Sequence, residues 1–208
     1  QCAGDTYAAR RLLIATGSEP ATPPIPGLRE ALASGFALTN REVLDLPAAP
    51  AHLAIIGGGV IGLEMASYYH AAGSRVTVVE MLEHIAGNTD AEIGRRLQKQ
   101  LEAAGIVFHL SARVTAVGEG ALVFEKDGQA SRLPCDNVLV SVGRRPVTEG
   151  YGLETLSVAL ERGAIATDER LRTSVPGVWA AGDVNGRSML AHTAYREAEV
   201  AVNDMLGR

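Results

Sequence analysis

Apolar and polar positions follow several textures along this chain, and the clearest lies between Leu53 and Glu80, LAIIGGGVIGLEMASYYHAAGSRVTVVE. Four apolar residues, Leu53 to Ile56, enter the glycines Gly57, Gly58 and Gly59, a helical pattern runs from Val60 to about Ala72, and a second apolar run, Val76 to Val79, closes on Glu80. Short continuous apolar runs bounded by glycine predict buried strands, so this stretch predicts strand, tight turn, helix, strand and terminal acid. A second helical pattern, AEIGRRLQKQLEAAG, follows Asp90. It places Ile93, Leu97, Leu101 and Ala104 on one face and Arg95, Lys99 and Glu102 on the other, with Asp90 as N-cap and Gly105 as C-cap. Ile106 to Leu110 predicts a third strand.

Beyond Leu110 the texture changes. Arg113 to Val117, Ala121 to Glu125 and Gln129 to Leu133 are short runs broken by Gly118, Gly120 and Asp127-Gly128, which predicts an antiparallel meander. Asn137 to Val142 is again a continuous apolar run, a strand returning to the main sheet, and Gly143-Arg144-Arg145-Pro146 breaks it. Upstream, Arg11 to Ala15 predicts a short strand turned by Thr16-Gly17-Ser18, and Pro20, Pro23, Pro24 and Pro26 predict an extended linker across a surface. Residues 28–49 read as a connection with a short helix near Asn40 to Leu46, capped by Asn40. Downstream, Ala164 to Thr167 and Val178 to Ala180 read as short strands. Ala191 to Leu206 reads as a helix with Ala194, Tyr195, Ala198, Ala201, Val202 and Met205 on its apolar side. The fold class is α/β, with a Rossmann-like parallel sheet and a short antiparallel β-meander.

Gly57, Gly59 and Gly62 fit the spacing G-x-G-x-x-G: one glycine for the turn, one for the approach of a diphosphate, one for close packing of helix on strand. The free N–H groups and positive end of the helix dipole favour that diphosphate. Any turn that needs glycine can show this spacing, but here a strand precedes it, a helix follows, and an acid closes the next strand. Glu80 sits where a carboxylate accepts hydrogen bonds from an adenosine ribose, and its charge repels a 2′-phosphate, so NAD(H) is expected in preference to NADP(H).

Composition narrows the partners. With 19 basic against 24 acidic residues and no basic stripe, nucleic acid is not an expected partner. No apolar run approaches the roughly 20 residues of a membrane span, and no signal-peptide pattern opens the chain, so a cytoplasmic protein without membrane association is expected. Cys2 and Cys135 form neither a C-x-x-C nor a zinc spacing and are expected to be thiols without chemistry; no metal site is expected. The chain opens at Gln1 without an initiator Met and runs directly into an apolar strand, which suggests a piece of a longer protein.

Taken together, several stretches resemble the flavin-dependent pyridine nucleotide–disulfide oxidoreductases. They are Ala15-Thr16-Gly17-Ser18-Glu19-Pro20, GGGVIGLEMA from Gly57 to Ala66, VVE ending at Glu80, VGRRP from Val142 to Pro146, AAGDV from Ala180 to Val184, and MLAHTAYREAE from Met189 to Glu199. They occur in the family's order over nearly the whole chain. The resemblance implies a three-layer NAD(P)/FAD-binding fold in which an NAD domain, residues 49–147, interrupts an FAD domain supplied by residues 1–48 and 148–208. It implies NAD contacts from Gly57, Gly58, Gly59, Val60, Ile61, Gly62, Leu63 and Glu64 and from Glu80, with Val114 and Gly143 as walls on the adenine and nicotinamide sides. It implies FAD contacts from Thr16, Gly17 and Ser18, from Asp183 on the ribityl chain, and from Met189, Leu190, Ala191 and His192 near the flavin.

Each assignment has a plainer alternative. Glu64 also fits an exposed helix charge, Glu80 a strand-end charge, Val114 an ordinary strand residue, Gly143 a strand-ending turn, Asp183 a turn residue and His192 a surface histidine; Arg144 and Arg145 fit cofactor contacts or ion pairs equally. Val147 departs from the family pattern, which usually has Asn there. The family's first FAD motif, its C-x-x-x-x-C redox disulfide and its His–Glu pair are not among these residues, so no catalytic residue is assigned and the chain by itself is not expected to complete a reaction. Within the family the likeness is greatest to the branch that oxidises dihydrolipoamide with NAD⁺. That branch implies a homodimer and a 2-oxo acid dehydrogenase complex as partners of the full-length protein. A different flavin disulfide reductase, an NADH oxidase, or a non-catalytic nucleotide-binding module are the other readings.

Overall fold

The structure is a computed structural model and describes residues 4, 5 and 7–208; Cys2 lies outside the described residues. The chain forms two compact units, Pro20–Gly143 and Gln1–Glu19 together with Arg144–Arg208. In chain order, β1 (Leu12–Ile14) and β2 (Ser18–Pro20) precede α1 (Leu28–Ser34) and β3 (Ala37–Leu38). Next come β4 (His52–Ile56), α2 (Val60–Ala71), β5 (Arg75–Val79), α3 (Ala91–Ala104) and β6 (Val107–His109). Three further strands, β7 (Arg113–Gly118), β8 (Ala121–Lys126) and β9 (Gln129–Pro134), lead to β10 (Asn137–Val140). After β11 (Arg144–Pro146) follow β12 (Leu160–Glu161), β13 (Ala164–Ile165), β14 (Val178–Ala180) and α4 (Ala191–Met205). No described helix is long and apolar enough to cross a membrane.

In the unit Pro20–Gly143, five strands form a parallel sheet in the order β3-β10-β4-β5-β6. Successive side chains of a strand point to opposite faces. Leu53 and Ile55 of β4, Val76 and Val78 of β5 and Leu139 of β10 pack on one side with Ala66 and Tyr69 of α2. Ala54, Ile56, Val79, Val138 and Val140 pack on the other with Leu28 and Ala31 of α1 and Leu122 and Phe124 of β8. Covered on both faces, the strands need apolar residues at every position, hence the unbroken runs in the sequence. The antiparallel meander β7-β8-β9 forms the third layer with α1, as expected of the three-layer class. Its two turns place Glu119-Gly120 and Asp127-Gly128 at positive φ.

In the other unit, β14 alternates in the same way. Val178 and Ala180 join Ile14, Ile165 and Val184, while Trp179 and Ala181 join Leu171 and Ala201 of α4. Asp204, near the end of α4, accepts two hydrogen bonds from Arg172 at 2.6 Å each and one from Trp179 Nε1 at 3.0 Å. The Arg172 contacts hold its carboxyl at a pKa of about 2.

Several elements differ from the sequence pattern. α1 lies inside the stretch read as a connection; it is bounded by Gly27 and Gly35, both left-handed, and its seven residues bury only Leu28 and Ala31. The helix near Asn40 is a single 3-10 turn, Glu42–Asp45, whose N-cap is Arg41 and not Asn40. Thr39 donates its N–H and hydroxyl to Glu42 at 2.8 and 2.6 Å, which lowers the Glu42 pKa. Asp90 and Gly105 cap α3 as expected, but Ile93 is 56% exposed, and the buried seam runs through Gly94, Leu97 and Leu101. On α4, Tyr195 is 78% exposed and Val202 is also exposed, while Glu197 turns inward. Arg144–Pro146, read as a break, is a strand paired with β2.

Two polar side chains, His52 and Thr77, sit deep in the parallel sheet and meet there. His52, 5% exposed, has Nε2 3.0 Å from Thr77 Oγ1, and Nδ1 lies 2.7 Å from the Pro134 carbonyl and 2.8 Å from Arg75 Nη2. The carbonyl only accepts and the guanidinium only donates, so either neutral tautomer makes two hydrogen bonds. Burial first, and then the Arg75 charge, push the His52 pKa below its ordinary value. A lowered folded-state pKa means that stability is fully present above about pH 6.5 and is lost as pH falls through the folded value. Denaturation of wild type between pH 7.5 and 5 is therefore expected to show falling stability, and His52→Gln a shallower fall over that range. Parallel pH profiles for the two proteins would contradict this assignment.

Candidate functional site

Where β4 passes into α2, two glycines, Gly57 in the turn and Gly62 in the first turn of the helix, leave no space for side chains. Gly57, at φ 104°, donates its N–H to Val79 O at 2.9 Å, and a Cβ there would lie 2.3 Å from the Ser141 carbonyl oxygen. A Cβ at Gly62 would lie 2.3 Å from Gly57 O and 3.4 Å from Ile55, so α2 packs on β4 with backbone against backbone. Gly59 is different: nothing lies within 4 Å of the position a Cβ would take. It is also the N-cap of α2 and contributes no side-chain cap, so the first-turn N–H groups face outward without an intrahelical partner.

A cleft of about 620 Å³ opens beside this turn, bordered by Gly57, Gly59, Glu80, Val114 and Gly143. That volume falls within the usual range for small-molecule sites, roughly 300–1,000 Å³. Glu80 joins the turn to the following loop: Oε2 accepts from Gly58 N at 2.6 Å and Oε1 from Leu82 N at 2.7 Å, and Ala86 N donates to Gly58 O at 2.8 Å. The remaining lone pairs of the carboxylate, on a residue that borders the cleft, can accept from hydroxyl groups. The structure thus brings five of the sequence-identified residues around one cavity. Leu63 is buried against Ile85 and Ala86. Glu64 is exposed on α2, Val60 is 61% exposed, Ile61 is half-buried, and none of the three borders the cleft.

The sequence reading missed part of this cavity. Pro23, Pro24 and Ile25, assigned to a linker, line it, as do Met81, Leu82 and Val142. The crowding of four prolines was the available signal, because a chain that stiff suits a wall as well as a connection.

In the other unit, Ser18 is buried and central. Its hydroxyl donates to Asp183 Oδ2 at 2.5 Å and accepts from Arg144 Nε at 2.7 Å, while Arg144 Nη2 donates to the Ser18 carbonyl at 2.7 Å. Thr16 Oγ1 donates to Val147 O at 2.7 Å, and Val147 N donates to Gly17 O at 2.9 Å. Both contacts at position 147 are made by backbone atoms, which do not depend on its side chain. Arg145 pairs with Glu19 at 2.6 Å, both exposed, so both arginines make ion-pair contacts. Met189 is half-buried, whereas Leu190, Ala191 and His192 are exposed at the start of α4. Glu197 holds the Asp183 turn: its Oε2 accepts from Gly182 N at 2.6 Å and Asn185 Nδ2 at 2.8 Å. Its place among Ala194, Ala198 and Ala201 on one helix face was the sequence signal for burial.

The Cys135 thiol is pushed up to about 11 by burial, which leaves little nucleophilic thiolate near neutral pH. Among the described residues, no group of three or more His, Cys, Asp or Glu side chains is placed to hold a metal ion.

Comparison with known proteins gives a consistent picture. The family described as pyridine nucleotide-disulphide oxidoreductase matches residues 2–198. Dihydrolipoyl dehydrogenase of Acholeplasma laidlawii is 40% identical over 203 residues, which cover 98% of this chain and 60% of that protein. Dihydrolipoyl dehydrogenase 3 of Pseudomonas aeruginosa is 42% identical over 205 residues, covering 96% and 43%. Among solved structures, the HOCl-induced flavoprotein disulfide reductase RclA of Escherichia coli aligns with a TM-score of 0.85 at 28% identity, covering 95% of this chain and 45% of that one. The chain spans about half the length of the curated relatives it matches.

The glycine geometry separates packing from access. Gly62→Ala is expected to lose about 2–3 kcal/mol in urea denaturation, because its Cβ meets backbone that cannot yield. Gly59→Ala should stay within about 1 kcal/mol of wild type. Equal losses at the two positions would refute the distinction.

Proposed function

We infer the function of this chain from its family: it belongs to the pyridine nucleotide-disulphide oxidoreductases, flavoproteins that also use a nicotinamide nucleotide. The unit Pro20–Gly143, which holds most of the NAD domain expected at 49–147 together with residues 20–48, expected on the FAD side, would be the NAD(H)-binding part of a dihydrolipoamide dehydrogenase, and the other unit would supply part of the FAD pocket. The observation that carries this reading is the convergence of the open face of Gly59 and the Glu80 carboxylate on one cleft.

The residues present fit the dinucleotide. The Gly57 to Gly59 backbone and the first turn of α2 would hold the diphosphate, with Gly59 leaving room for its approach. Glu80 would accept from the adenosine ribose, Val114 would border the adenine side, and Gly143 the nicotinamide side. For FAD, Thr16, Gly17, Ser18 and Asp183 would form a polar contact surface, with the Ser18–Asp183–Arg144 hydrogen bonds keeping the carboxylate in place. Bound together in the full-length enzyme, the two cofactors would supply the hydride chemistry, dihydrolipoamide and NAD⁺ giving lipoamide, NADH and a released proton through a redox disulfide. The protein's own part in these residues is positioning and electrostatics.

A second reading, a related flavin disulfide reductase acting on another disulfide, draws on the likeness to RclA. Assay of the full-length protein separates the two: rapid dihydrolipoamide-dependent NAD⁺ reduction supports the first reading, and its absence alongside NADH-dependent reduction of another disulfide supports the second.

The cofactor assignment is tested by calorimetric titration of this chain with NADH and NADPH. NADH is expected to bind at least about tenfold more tightly, because Glu80 faces the 2′-phosphate of NADPH with like charge. Glu80→Gln should narrow that ratio and also weaken NADH, since the same carboxylate braces Gly58. Equal or reversed affinities in the parent would sink the assignment.

A further inference from the structure

The segment from Ala21 to Gly27 is tied down at both ends. Ala21 N donates to Gly143 O at 3.0 Å, and Val117 N donates to Pro26 O at 3.0 Å. At Gly27, left-handed at φ 77°, a Cβ would lie 2.1 Å from Val117 O, so the strap meets β7 with no room for a side chain. Between these anchors Ile25 N donates to Pro23 O at 2.8 Å, a tight turn about Pro24, and Ile25 packs into the core beside Ile56 and Val79. Proline fixes φ and has no N–H to donate. The strap therefore offers the cleft a stiff apolar edge, formed by Pro23, Pro24 and Ile25.

Its position follows from strand order. β10 and β5 flank β4 on opposite sides. Glu80 follows β5 directly, and Gly143, which anchors the strap, lies three residues beyond β10. A dinucleotide with its diphosphate at the turn after β4 and its adenosine ribose at Glu80 extends its other half over β10, toward the strap. We propose that the Pro23–Ile25 strap is a positioning wall for the nicotinamide half of the bound dinucleotide, a role that rests on the NAD-binding reading above. Polar selection is left to Glu80 and the glycine turn. The strap limits, through van der Waals contact and exclusion of water, where the nicotinamide ribosyl group can lie, and being already rigid it loses little freedom on binding.

The test compares two ligands that share the adenosine half. The parent chain and the variant Pro23→Gly/Pro24→Gly are titrated with NADH and with ADP-ribose, which lacks nicotinamide, and each protein is melted to confirm folding. Loosening the wall should weaken NADH at least about fivefold and leave ADP-ribose within about twofold. Unchanged NADH affinity, or equal loss for both ligands, would overturn the proposal. If the double variant does not fold, Pro24→Ala at an exposed position carries the same comparison, with the selective loss of NADH affinity supporting the wall and no selective loss overturning it. Failure of the parent to bind either ligand would overturn the NAD-binding reading itself, which is a distinct result from a parent that binds both and a variant that behaves like it.

Discussion

The cleft depends on how near two stretches of backbone come at Gly57. The Ser141 carbonyl oxygen takes the space that a Cβ would fill, and the Gly57 carbonyl oxygen does the same to Gly62. With those volumes given to backbone, α2 can start close against the end of β4 with its first N–H groups turned outward. Any side chain at either glycine has to push apart β4 and β10 or β4 and α2, and both pairs belong to the central sheet and its covering layer. The start of α2 beside the cleft and the packing of the core are therefore set by the same close contacts.

Around that point the unit meets two opposed requirements. Its strands are covered on both faces and tolerate little polarity, while the ends of those strands open on a cleft where polar groups gather. Where a polar side chain does enter the sheet, at His52, it brings Thr77 and the Pro134 carbonyl as partners beside the Arg75 charge. At the cleft, Glu80 is held by two backbone N–H groups, so its charge is satisfied by geometry that also shapes the turn.

The sequence showed the central β-α-β element plainly, because buried parallel strands are continuous apolar runs and the glycine spacing has no other common use in that context. The meander was equally legible from its glycine-broken rhythm. α1 was not: a seven-residue helix with two buried side chains has too little periodicity to detect. On α4, Tyr195, expected on the apolar side, is exposed, and Glu197 is buried instead, since hydropathy does not register that Gly182 and Asn185 offer it a buried pair of donors. At the site, the glycine roles could be read from spacing. The bond from Gly58 to Glu80 could not, because it depends on where a loop returns in space, and for the strap the prolines signalled stiffness but not which surface it lines.

The hydrogen bond from Ala21 to Gly143 carries a consequence for how the chain assembles. It joins the first and last turns of a long insertion, so that the inserted unit, once folded, is a closed excursion whose two ends emerge side by side. Strands β1 and β14 are far apart in sequence, yet most of the loop that separates them is this closed insertion. The entropy of closing that loop is then charged to the insertion and not to the outer ladder. With its two ends held together by that bond, the insertion shortens the effective separation of β1 and β14 to the residues that lie outside it.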